Sequence, residues 1–260
     1  MSSRPGSCTA EVVRREQLSP HLVRIVLGGP GLRSFASTGI PDEWVGLVVP
    51  GQFQSRYYTV RSWSDGEQPE MVLDVVVHEQ GLVTEWAQGD CVGDTVTITE
   101  AKGSFALPDD AGWVVLVGDL TALPAIARIR EHLADFDGPV RSWVESGDGP
   151  LPGYLAEGDW LEPPEVGVSG LAAFVASLDW PEGPGYFWMA GESAQMRDIR
   201  RSVRRELGWD SHHHDLMGYW SNSRGRAVRA VDPAPIYARG KAAGKTDEEI
   251  WMDYDEARRD

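Results

Sequence analysis

Past residue 113 the apolar residues of this chain stop alternating and come in runs, and that change of period constrains the fold more than any other feature. "WVVLVGD" and "YFWMAGE" are unbroken apolar stretches, and each leads straight into a helical pattern, "TALPAIARIREHLADF" and "SAQMRDIRRSVRREL". Strands buried on both faces and separated by helices belong to a parallel sheet in an α/β domain. "VRSWVES", a helical "SGLAAFVASL" and a closing "DLMGYW" continue the series.

The first hundred residues follow another rule. "EVVRREQL", "HLVRIVLGG", "WVGLVVPG", "SRYYTVRSW", "MVLDVVVH" and "TVTITEA" are short β segments with Gly, Pro or Asp between them. Strands at this spacing suggest an antiparallel barrel or sandwich. One helical piece, "GLVTEWAQ" at 81–88, interrupts them. "FALPDDAGW" at 105–113 is a linker, which divides the chain into a β domain at 1–108 and an α/β domain at 109–226. A helical tail occupies 227–260, where Thr246 and Glu249 have the spacing of a capping box.

With 260 residues, 42% of them hydrophobic and 25% charged, the chain can bury real cores. A formal net charge of −16 argues against nucleic acid or an anionic membrane as a partner. Any anionic ligand must then be met by local arginines or backbone N–H groups. Two cysteines, Cys8 and Cys91, make neither a disulfide framework nor a metal quartet, and fit a reduced, cytoplasmic setting. The N-terminal residues lack a signal-peptide apolar run, and no window reaches the ~18 apolar residues of a membrane span. The "SHHHDL" run at 211–216 points its three histidines in different directions, so it is read as a solvated loop with no metal.

Three places carry chemistry. Gly118 and Asp119 end a strand just before a helix whose first turn contains Pro124, so Thr121 and Ala122 can present N–H groups and a positive dipole end to a phosphate. Gly191 and Glu192 end a second strand in the same way. Two such loops on one parallel sheet favour a dinucleotide crevice. The third is "SRYYTVRSW", 55–63, which puts arginine and aromatics on both faces of a strand: Arg56, Tyr58 and Val60 on one, Tyr57, Thr59 and Arg61 on the other.

In their order along the chain, "RYYTVR", the glycine-bearing helix start, "GDLTALPAIARI", "AGESAQMRDIRR" and a late "GYW" resemble the siderophore-interacting proteins, FAD-dependent ferric-siderophore reductases of the ferredoxin-NADP reductase superfamily. The resemblance runs from about residue 8 to 230. It implies a six-stranded antiparallel FAD-binding β-barrel followed by a parallel-sheet nucleotide-binding α/β domain. It also implies FAD held by Arg56, Tyr57, Tyr58, Thr59, Val60 and Arg61, with Thr59 the hydrogen-bonding partner of the reactive nitrogen. Asp74, Val76, His78 and the turn Gly81, Leu82, Val83 and Thr84 would complete the FAD seat. Gly118, Asp119, Thr121, Ala122, Gly191 and Glu192 would line the NAD(P)H crevice. Apart from the resemblance, Glu145 stands at the second strand's carboxyl end, where an acid can accept from ribose hydroxyls, and Trp63 and Trp220 are placed near a ligand. Lys102, Arg224 and Arg226 are the basic candidates for an anionic ferric siderophore.

The chain departs from the family pattern in three places. Leu82 and Val83 stand where proline and a small residue are usual, Leu120 stands where an acid is common, and few basic residues follow the last strand. Expected of such a protein are siderophore and NAD(P)H as small-molecule partners, no nucleic acid, no membrane and a monomer. Glu145 would repel a 2′-phosphate, but NADH and NADPH stay open. So do a reductase of another acceptor (a quinone, a free flavin or a redox protein) and a siderophore-binding protein without turnover.

Overall fold

The structure is a computed structural model that describes residues 6–52, 54–78, 81–155, 159–165, 168–203 and 208–221, with 236, 239–240 and 242–245 of the tail. The expected capping box at Thr246 and Glu249 lies outside the described residues.

Six strands, β1 (Cys8–Ser19), β2 (Leu22–Gly28), β3 (Trp44–Val48), β4 (Arg56–Ser64), β5 (Glu70–Val76) and β6 (Thr95–Ile98), close into a barrel in the order β1-β2-β5-β4-β3-β6. Every pairing is antiparallel, and β6 returns to β1 so that the barrel has no open edge. Val12, Val23, Ile25, Leu27, Val45, Leu47, Val60, Leu73, Val75 and Ile98 fill its core. Helix α1 (Leu82–Gln88) adds Val83 and Ala87 to that core.

The second layer is a five-stranded sheet of β7 (Val114–Asp119), β8 (Val140–Glu145), β9 (Trp160–Leu161), β10 (Tyr186–Glu192) and β11 (His214–Trp220), ordered β11-β10-β7-β8-β9. All its pairings are parallel. The apolar runs are explained by burial on both faces. Val114 and Leu116 pack with α2 (Leu123–His132), while Val115 and Val117 share a core with residues of α3 (Leu171–Ala176) and α4 (Ser193–Ser202). The two-residue β9 has too little sequence to show a period and is not legible from the chain alone.

Barrel and sheet share a seam. Leu22, from the barrel, is part of the α2-side core, and Leu18 and Val76 pack against it. Charged groups stitch the same seam. Arg128 of α2 donates to Val60 O at 2.5 Å and lies 3.8 Å from Glu43 Oε1, which is fully buried. Burial pushes the Arg128 guanidinium below its ordinary range, with Glu43 working against that fall. Glu43 is satisfied from its other side by Ser37 and Thr38. Asp42 accepts from Ser104, from Phe105 N and, at 3.3 Å, from Trp188 Nε1 on β10. A buried carboxylate with this many donors costs little to keep buried and fixes barrel against sheet.

Candidate functional site

β4 answers the puzzle posed by its sequence. Facing pair Val45↔Tyr58 turns Tyr58 and, two residues on, Val60 to the barrel side, Trp44↔Thr59 turns Thr59 outward, and Arg56, opposite Leu47 at the strand's start, is exposed. A bulge between Val60 and Ser62 then breaks strict alternation. Val60 is fully buried inside the barrel, yet Thr59 is buried too, at 5% exposure, because its outward face is covered. The strand is polar and aromatic on both faces because its ends are exposed while its middle, Thr59 and Val60, is buried on both faces.

Of the two tyrosines expected to hold FAD, only one is open. Tyr58 packs on the barrel core, and burial pushes its hydroxyl well above the ordinary phenol range. Tyr57 is the open ring, at 49% exposure. Arg56 is exposed at the start of the strand and makes no ion pair among the described residues. Arg61, expected beside them as a cofactor cation, is instead spent on the seam: it binds Glu131 at 2.6 and 3.1 Å and stacks over Tyr154 at 5.4 Å. Asp74 is also committed elsewhere, holding Arg24 in a two-pronged ion pair at 2.8 and 2.9 Å and accepting from Tyr154 Oη. Val76 packs at the seam, and Trp63 stacks edge-on with Phe35 at 4.9 Å against the barrel core.

At the other end of β5 the chain forms a small cradle. Gly81 has φ +142°, a conformation that favours glycine, and a side chain there would stand 3.4 Å from the His78 ring and 3.8 Å from Thr84 Oγ1. His78 is exposed, Leu82 is 57% exposed and Thr84 is buried. The helix that follows has no side-chain cap, so its first amides lack an intrahelical acceptor.

The sheet supplies the second half. Its order reverses between β7 and β10, and their carboxyl ends form the crevice where open α/β sheets bind ligands. Gly118, Asp119, Gly191 and Glu192 all stand at that edge. Gly118 is obligatory: a Cβ would lie 2.4 Å from the Ala122 Cβ and 2.9 Å from Ala190 O. The amides of Thr121 and Ala122, offered to a phosphate by the sequence, are both donated to Asp119, to its Oδ1 and its carbonyl at 2.9 Å each. Glu192 likewise caps α4, accepting from Ala194 N at 2.7 Å and Gln195 N at 3.0 Å. Asp119 is buried, and that burial raises its carboxyl above the usual range in spite of hydrogen bonds from Thr121 and Trp220. Glu145, its neighbour in register on β8, is raised by burial too and accepts from Gly170 N at 2.7 Å.

Trp44 and Tyr219 were not singled out by sequence. Trp44 pairs with Thr59 on one side and, through two backbone hydrogen bonds of 2.7 and 3.0 Å, with Lys102 on the other. Thr59, Trp44 and Lys102 therefore form a row on one face, with Lys102 about 10 Å from Thr59 by strand spacing. Tyr219 ends beside Thr59. Register with a third strand is the only signal for either, and a single chain does not display it. Arg224 and Arg226 lie outside the described residues.

A flavin dinucleotide fits these groups. Thr59 Oγ1 and Tyr219 Oη are buried polar atoms without a hydrogen-bond partner among the described residues, Tyr57 offers an open ring, Arg56 an uncommitted guanidinium and Gly81 a cradle that a side chain would fill. Comparison with known proteins agrees. Residues 11–55 and 52–105 match the siderophore-interacting FAD-binding domain, and residues 111–223 match the siderophore-interacting protein model. The NADPH-dependent ferric-chelate reductase of Escherichia coli is 27% identical over 80% of this chain and 91% of its own length. The ferric vibriobactin reductase ViuB of Vibrio cholerae is 27% identical over 82% and 89%. The crystal structure of a siderophore utilization protein from T. fusca superposes with a TM-score of 0.69 at 25% identity, covering 87% of this chain and 95% of that one. Barrel, switch-point sheet and both matched segments place the chain in the siderophore-interacting protein family.

Proposed function

We propose that the chain is a cytoplasmic, monomeric FAD-dependent reductase that passes electrons from NAD(P)H to the Fe(III) of a siderophore and so releases Fe(II). The observation that carries this reading is the buried Thr59 hydroxyl, without a hydrogen-bond partner among the described residues, on the same barrel strand as the open Tyr57 ring. When bound, FAD supplies the chemistry of accepting a hydride from the nicotinamide and giving electrons up singly to Fe(III). Fe(II) is held less firmly by hard oxygen ligands, so reduction loosens the chelate.

The chain's own residues bind and orient. Arg56 offers a forked donor to the pyrophosphate, joined by amides of the Gly81–Thr84 turn. Tyr57 gives a flat apolar face at the open side, and Thr59 donates to the ring system. Asp119, Gly191 and Glu192 shape the crevice that receives the nicotinamide dinucleotide. Lys102, bridged to Trp44 in that row, is the first candidate to meet an anionic chelate. No general base is required of the protein.

The test is anaerobic mixing of the FAD-loaded chain with NADH or NADPH, then with catecholate, hydroxamate and citrate ferric chelates, following flavin bleaching, its return and ferrous trapping. Bleaching that only a redox protein reverses would instead support a protein acceptor, which a net charge of −16 also suits if that partner is basic. A colourless chain that takes up no FAD would reject both.

A further inference from the structure

Thr59 and Tyr219 come from different layers, Thr59 from the middle of β4 and Tyr219 from the end of β11, yet their side chains meet. Neither Thr59 Oγ1 nor Tyr219 Oη is reached by water, and neither completes a hydrogen bond among the described residues. Tyr219 is not free to turn away. Its ring stands edge-on to Trp188 at 6.5 Å, Trp188 is anchored on Asp42, and the next residue, Trp220, is tied to Asp119 at 2.6 Å. Burial drives the Tyr219 hydroxyl well above its ordinary range, with nearby Asp42 adding to the rise and Thr59 opposing it as a hydrogen-bonding neighbour. The phenol therefore keeps its proton and acts as a donor.

A threonine hydroxyl has one proton to give and lone pairs to receive. Once Oγ1 accepts from Tyr219, the threonine proton must go to a different acceptor, and a buried donor left without one is rare in native proteins. No described residue supplies that acceptor. We propose that Tyr219 is a positioning residue: its hydroxyl donates to Thr59 Oγ1 and thereby aims the Thr59 proton at an acceptor atom of the bound isoalloxazine. This rests on the flavin reading above, and assigns to the tyrosine of the late "GYW" a role that acts through Thr59.

The decisive experiment is a double-mutant cycle on the full chain, reading FAD affinity by titration of apoprotein and the visible absorption and midpoint potential of the bound flavin. Tyr219→Phe keeps the ring and removes only the hydroxyl; Thr59→Val keeps the shape and removes the other. In the wild-type background Tyr219→Phe is expected to weaken FAD binding about five-fold, the worth of one hydrogen bond, and to shift band and potential. In the Thr59→Val background it should change none of the three. Thr59→Ser should restore both FAD affinity and sensitivity to Tyr219→Phe. Equal effects of Tyr219→Phe in both backgrounds, or no effect in either, overturn the inference. Should Tyr219→Phe not fold, Thr59→Ser and Thr59→Val decide from the barrel side, and equal FAD affinity of those two overturns it. Wild-type protein that takes up no FAD overturns the flavin reading itself, whereas yellow protein with additive variants overturns only the role of Tyr219.

Discussion

Trp220 Nε1 donates to Asp119 Oδ2 at 2.6 Å, and the bond passes over Gly191 on the strand between them. A Cβ on Gly191 would stand 2.7 Å from that same Oδ2, so the glycine is what lets the ends of β7 and β11 be tied across β10. The tie joins the carboxyl ends of β7 and β11 across the switch point.

Gly191→Ala should therefore displace the Asp119 carboxylate and free Trp220. The expected result is a rise in KM for the reduced nicotinamide of about ten-fold, the size of one lost charge-assisted hydrogen bond, with FAD content unchanged. Steady-state kinetics beside flavin absorbance checks it, and loss of FAD in step with KM would contradict it.

Asp119 also gives a pH signature. Burial raises its carboxyl, so its contribution to stability is full at low pH and is lost as pH rises through the raised value. Asp119→Asn removes that loss. The stability of the variant relative to wild type should improve steadily from acid toward neutral pH, read by urea melts at each pH.

Asp148 behaves in the opposite sense. It accepts from Ser19 Oγ, from His21 N at 2.9 Å and lies 2.5 Å from His21 Nδ1, linking the β1–β2 turn to the loop after β8. Burial pushes its carboxyl up, but the hydrogen bonds from Ser19 and His21 outweigh it and hold it below the ordinary range. That stability is present above the usual carboxyl range and lost as pH falls through the depressed value. Asp148→Asn should cost about 1–3 kcal/mol at neutral pH and flatten the acid limb of a thermal-melt series.

How far these features can be read from the chain varies. The two layers were legible because periodicity records burial: "WVVLVGD" is apolar throughout since both its faces are covered. That Gly118, Asp119, Gly191 and Glu192 end strands at one edge of the sheet was legible because each precedes a helix in the sequence. What was not legible depends on contacts between distant segments. Arg61 and Asp74 look like ligand groups in "RYYTVR" and "LDVVVH", and only folding gives them Glu131 and Arg24. Which of the two tyrosines stays open depended on which face the barrel claims, and Tyr219 on meeting a strand 160 residues earlier in the sequence.

Arg56 is the simplest test of the flavin seat. It is exposed and carries no ion pair among the described residues, so its removal leaves no buried charge behind. Arg56→Ala is expected to fold with an unchanged melting temperature and to lose FAD on gel filtration. Retained yellow colour at wild-type occupancy would remove the arginine from the pyrophosphate.

Glu145 should set the choice of nicotinamide. It ends β8, the second strand of the βαβ unit begun by β7, and under the proposed reading it would accept from the ribose hydroxyls of NADH and repel the 2′-phosphate of NADPH. Its segment, "ESGDG", contains no cation, and Asp148 within it is already held by Ser19 and His21. NADH should then be the better substrate. Glu145→Gln keeps an oxygen for Gly170 N while removing the charge, so the loop should stay in place and the repulsion should go. The ratio of kcat/KM for NADPH over NADH is expected to rise about ten-fold, the effect of a unit charge a few ångströms away at an intermediate dielectric. The rise should shrink as salt is added, because a screened charge discriminates less. A ratio that does not move, or one that moves equally at all ionic strengths, would place the discrimination elsewhere in the crevice.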